Sequence, residues 1–72
     1  MSTKEQVEVA INGESRSIPN GQTIQRLLEA LDLDPARVAV ELDARIVKPK
    51  EWAATTIAAG ARIEIVQFVG GG

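Results

Sequence analysis

The chain has 72 residues, enough for one domain, and a chain of that size hides only about 60 to 65% of its unfolded surface, so stability rests on one small core. Hydrophobic residues make up 44% and charged residues 25%, which is too apolar for a disordered chain and ordinary for a globular one. There is no cysteine, histidine or tyrosine and the formal net charge is -2, a combination that excludes disulfides and thiolate metal sites, removes the usual neutral-pH general base, and argues against both an autonomous enzyme and a nucleic-acid binder.

The opening "MSTKEQVEVAIN" has no apolar run of signal-peptide length, and nowhere is there the ~20-residue apolar stretch that a bilayer span requires. With no membrane anchor in view and a cysteine-free composition that fits a reducing compartment, the expected location is the cytoplasm. In "QVEVAIN" the apolar residues Val7, Val9 and Ile11 fall two apart, the period of a strand with one buried face. Asn12-Gly13 follows, a pair suited to the positive φ angles of a tight hairpin, and "ESRSI" returns as a second, more polar strand. Pro19, Asn20 and Gly21 break that strand, and Thr23 is placed to cap a helix.

Ile24, Leu27, Leu28 and Leu31 recur at helical spacing, with Gln25, Arg26, Glu29 and Ala30 on the other side, so the helix buries a single stripe. It is expected to end in "DLDP", where Pro35 disfavours helical geometry at Asp34. Those two aspartates lack the other ligands of a calcium loop and read as turn residues. "VAVEL" forms a third strand with Val38, Val40 and Leu42 on one face, and after an Asp43-Ala44 turn "RIVK" forms a short fourth. Lys48 and Lys50 are two solvated charges beside a turn. Pro49 opens a single helical turn in "PKEWA", in which Trp52 is expected to be a half-buried plug over the sheet edge. Gly60 marks another turn before the last strand, "RIEIVQF", which runs directly into three glycines.

This order describes an α+β protein, one helix packed across one face of a small mixed sheet. Four stretches carry a more specific likeness: "INGE" at the first hairpin, "TIQRLLEAL" for the helix, "VAVELDARIVKPKEWA" through the middle and "IEIVQFVGGG" at the end. Over nearly its whole length the sequence resembles the ThiS family, sulfur carriers of bacterial thiamine biosynthesis with the ubiquitin-like β-grasp fold. The likeness divides the chain into a β-grasp domain over residues 1–68 and a glycine tail over residues 69–72.

That resemblance implies a role for residues that contribute little to a core. In such carriers the C-terminal carboxylate, here on Gly72, is adenylated by an E1-like, ThiF-like adenylyltransferase that uses ATP and magnesium, while the carrier itself binds no cofactor and is not an enzyme. The adenylate becomes a thiocarboxylate. Because this chain has no thiol, the sulfur comes from a persulfide on another protein, and a ThiG-like thiazole synthase receives it. Gly70, Gly71 and Gly72 would enter the partners' active sites, since glycine lets backbone approach a ligand without a Cβ clash. Four extended residues, Val69 to Gly72, reach at most about 14 Å at ~3.3 to 3.6 Å each. The family needs two glycines, so Gly70 adds slack, and Asp43-Ala44 stands where relatives often have Asn-Gly. The free carrier is expected to be a monomer.

Alternation in the last strand adds one expectation of its own. Ile63 and Ile65 face the core, so Arg62, Glu64, Val66 and Phe68 fall on the other side, which begins charged and finishes apolar. Val66, Phe68 and Val69 are thus the candidate docking surface for both partners. Three other readings remain open at this stage: the small subunit of molybdopterin synthase, although "VQFVGGG" lacks its proline-rich approach to the glycines; a ubiquitin-like modifier; and a small interaction module.

Overall fold

Val7, Val9 and Ile11 all turn to one side of the first strand, β1 (Gln6–Ile11), and all three are buried. The computed structural model describes residues 5–69. Asn12 and Gly13 take φ of 50° and 83°, the left-handed pair of a two-residue hairpin, and return the chain into β2 (Glu14–Pro19), antiparallel to β1. Pro19 does not break this strand as expected but closes it, paired with Gln6 at the sheet's outer edge, where a missing N–H is tolerated.

Thr23 caps the helix α1 (Ile24–Ala30), its hydroxyl accepting the Arg26 N–H at 3.2 Å. The apolar stripe lies where its spacing places it: Ile24, Leu27 and Leu28 are buried and Leu31 is half-buried against the same core. Each of the three buried side chains stabilises the fold by about 1.5 to 3 kcal/mol relative to exposure. The helix ends earlier than Pro35 would require. Asp32 adopts a left-handed φ of 60°, its N–H bonds the Glu29 carbonyl, and the Leu33 N–H bonds the Leu28 carbonyl, both at 3.0 Å. These two bonds satisfy the helix's last carbonyls and fold Leu33 back onto the core. Asp34 then caps a short 3-10 turn (Pro35–Arg37) by accepting the Ala36 N–H at 3.0 Å, so both aspartates serve chain reversal.

Strand β3 (Val38–Leu42) buries Val38 and Val40, and the Asp43-Ala44 turn leads to β4 (Arg45–Val47). A second 3-10 segment (Pro49–Ala54) begins at its proline. Its tryptophan corrects the half-buried expectation: Trp52 is only 2% exposed, and its indole N–H donates to the Val47 carbonyl at 2.8 Å. An indole can sink this far because its single donor is satisfied. The stretch that follows has little regular structure, yet Ile57 is buried, held by backbone bonds from Ile57 N–H to the Gln22 carbonyl and from Ile24 N–H to the Thr55 carbonyl.

Strand β5 (Arg62–Gln67) completes a five-stranded sheet of order β2-β1-β5-β3-β4. Among the described residues, only the β1–β5 pairing is parallel. The last strand is therefore central, with Ile63 wholly buried and Ile65 packed against the core. Among the described residues, no helix is long and apolar enough to cross a membrane.

Candidate functional site

The end of β5 is where the sequence and the architecture meet. Its helix-facing residues carry the core, while Arg62, Glu64 and Val66 look out from the uncovered face. Val66 lies opposite Ala39 of β3 and is 56% exposed. Phe68, just past the strand, is 55% exposed although its own N–H is fixed to the Arg37 carbonyl at 2.7 Å, and Val69 is 94% exposed. The three candidate docking residues are thus exposed apolar groups, interrupted by Gln67, on a backbone that is anchored as far as Phe68. Gly70, Gly71 and Gly72 lie outside the described residues.

One exposed apolar residue was missed by the sequence reading. Ile46 of β4 is 75% exposed and sits opposite Glu41 of β3, which in turn sits opposite Glu64 of β5. The signal was in "RIVK": with Val47 half-buried, strand alternation turns its neighbour Ile46 outward. The open face therefore carries one row of Ile46, Glu41 and Glu64 beside a second of Ala39 and Val66. Two carboxylates directly opposite each other repel, and neither is withdrawn from water. Such a face suits an interface more than a catalytic centre: it is broad and mixed, with apolar groups next to charges.

Two hairpin turns hold the strand that bears this surface. Asn12 takes Ile65 from the β1 side, its Oδ1 accepting the Ile65 N–H at 2.8 Å and its Nδ2 donating to the Ile65 carbonyl at 3.2 Å. Asp43 takes Arg62 from the β3 side, its Oδ1 accepting the Arg62 N–H at 2.9 Å while its own N–H donates to the Arg62 carbonyl at 2.7 Å. Asp43 and Ala44 both have positive φ, 51° and 70°, so the turn keeps left-handed geometry without the Asn-Gly pair that favours it.

The ThiS family matches residues 5–72, which is nearly the whole chain and includes the glycines. The chain belongs to the ThiS family. Among its relatives, the sulfur carrier protein ThiS of Escherichia coli is 30% identical over 66 residues, a match covering 92% of this chain and all of that protein. A thiazole synthase of Paramagnetospirillum magneticum is 38% identical over 66 residues, and here the match covers 92% of this chain but 20% of the relative. A thiazole synthase of Magnetococcus marinus shows the same proportion, so this ThiS-family chain spans about a fifth of the length of either synthase. The crystal structure of the thiamine biosynthesis protein ThiS from Geobacter metallireducens superposes with a TM-score of 0.80 at 28% identity, covering 92% of this chain and all of that one. The ubiquitin-like β-grasp architecture expected of a ThiS protein is the architecture observed.

Proposed function

We propose that the chain is a sulfur carrier of thiamine biosynthesis that acts through a carboxylate on Gly72. The observation that carries this reading is the extent of the family match: it runs from the first strand through Gly72, and the E. coli sulfur carrier aligns over its full length. A free carboxylate resists nucleophiles because it is anionic and resonance-stabilised. Joining it to AMP creates an electrophilic carbonyl with a leaving group, work assigned to an E1-like activating enzyme with its own ATP and magnesium. A persulfide on a donor protein then attacks the carbonyl and displaces AMP, giving an acyl disulfide whose S–S bond a thiol reductant cleaves to leave the thiocarboxylate; the sulfur comes from outside because this chain has no thiol. The acceptor is a thiazole synthase, a reading supported by the two synthases that contain a segment similar to this chain. Gly70, Gly71 and Gly72 serve as the slender lead into both active sites.

In this reading the globule is the handle and the open end of β5 is the grip. Val66, Phe68 and Val69 dock against the partner while the glycines reach its site, so both partners compete for one surface. The test is the intact mass of the chain after incubation with an activating enzyme, ATP, a persulfide donor and a thiol reductant. Replacement of one oxygen by sulfur at Gly72 is the expected result; an unchanged mass, or an isopeptide adduct on another protein, rejects the carrier.

A further inference from the structure

The ladder around β5 has a gap that a side chain fills. On the β3 side, Phe68 N–H bonds the Arg37 carbonyl, so the antiparallel pairs alternate from there and both Val38–Gln67 and Val40–Ile65 are non-bonded pairs. Ile65 and Gln67 therefore turn their N–H and carbonyl groups toward the β1 side. There the main chain runs out: β1 pairs with β5 only at Arg62 and Ile63, Asn12 N–H reaches the Ile63 carbonyl at 2.8 Å, and the chain turns away at Gly13. The Asn12 amide, a chemical analogue of a peptide unit, extends the ladder by one step and satisfies both groups of Ile65. β1 supplies no residue opposite Gln67.

We propose that Asn12 is a positioning residue for sulfur transfer, holding the exit of β5 so that the tail leaves the globule in a fixed direction; this rests on the carrier reading above. Turn geometry alone does not call for this side chain, because glycine meets a φ of 50° at lower cost. Asparagine adds the two bonds to Ile65, which are the last tie on that edge before the docking residues Val66 and Phe68. Without them, the described residues after Ile63 are held only from the β3 side. Asp43 is the internal control. From a left-handed turn residue it makes a similar clasp, with one side-chain bond and one backbone bond, but at Arg62, the opposite end of the strand.

The consequence is quantitative. Among the described residues the last backbone bond is that of Phe68, four residues before Gly72; if the strand is released back to Ile65, the lead becomes seven residues. Effective concentration at a partner's site falls roughly as the −3/2 power of tether length, so release lowers transfer by about two- to threefold.

The experiment compares Asn12→Gly, Asn12→Asp and Asp43→Gly with the wild-type chain, at a temperature where unfolding curves show all four fully folded. Thiocarboxylate formation is measured with an activating enzyme, ATP, a persulfide donor and a thiol reductant, and amide exchange is measured on each free protein. Expected are slower transfer and faster exchange confined to Ile65, Val66 and Phe68 in Asn12→Gly, partial recovery in Asn12→Asp, which keeps the acceptor, and wild-type transfer in Asp43→Gly. Wild-type transfer by Asn12→Gly overturns the proposal, as does an equal loss in Asp43→Gly, which would reduce both clasps to general stability. A wild-type chain that forms no thiocarboxylate at all is a different failure: it removes the carrier reading and this proposal with it.

Discussion

The indole N–H of Trp52 donates to the Val47 carbonyl at 2.8 Å, fastening the 3-10 segment to the short edge strand β4. This bond explains how a tryptophan becomes fully buried at the edge of a small sheet. Trp52→Phe keeps an aromatic ring but leaves the Val47 carbonyl without its donor. A loss of about 1 to 3 kcal/mol is expected in a denaturant titration followed by circular dichroism, the only tryptophan having been removed. An unchanged midpoint would mean that water replaces the indole at no cost.

Leu28 is buried in the middle of the helical stripe, against the sheet. Leu28→Ala is expected to cost about 2 to 5 kcal/mol, the transfer free energy plus the cavity it leaves. In a domain this small that is much of the total stability. Thermal unfolding measures it, and a negligible shift would contradict the packing.

Ala44 sits at a φ of 70°, where an L-residue pays for the contact between its Cβ and the backbone. Ala44→Gly removes that strain and gives back part of the gain through a more flexible unfolded chain. A net stabilisation of up to about 1 kcal/mol is expected from the unfolding midpoint. A destabilised variant would show that the turn is unstrained.

Deleting Gly71 and Gly72 is expected to abolish adenylation while leaving the melting temperature nearly unchanged, because terminal residues without side chains contribute little packing. Intact mass and a thermal scan on the same sample separate the two effects. A clear fall in melting temperature would assign these glycines to the fold.

Phe68 and Val66 are large, apolar and more than half exposed, next to the end of β5. Phe68→Ser, and to a lesser degree Val66→Ser, is expected to weaken binding to both the activating enzyme and thiazole synthase by about fivefold or more, on the order of the 1 kcal/mol or greater that marks an interface anchor, with little loss of fold stability. Binding titrations and an unfolding curve are both needed. Unaltered affinities, or a variant that unfolds, would remove the docking role.

Local rules made much of this protein legible from its residues. The period-two spacing of Val7, Val9 and Ile11, the stripe of Ile24, Leu27, Leu28 and Leu31, the Asn12-Gly13 hairpin and the Thr23 cap each depend on neighbours a few positions apart, so their outcomes could be read directly. The glycine-rich end and the Val66–Phe68 alternation were visible for the same reason. What remained for the tertiary structure was everything set by partners distant in sequence. Parallel pairing of the first strand with the last placed β5 at the centre of the sheet, 53 positions from the Asn12 amide that holds it. Trp52 sank fully because Val47 offered an acceptor, and Ile57 entered the core from an irregular segment with no period to reveal it. The helix stopped at Ala30 because Leu33 gained by folding back onto the core, with Asp32 turning left-handed to allow it, before Pro35 could act. Periodicity records which face of an element is apolar; only the folded chain decides what that face meets and which backbone groups still need a partner.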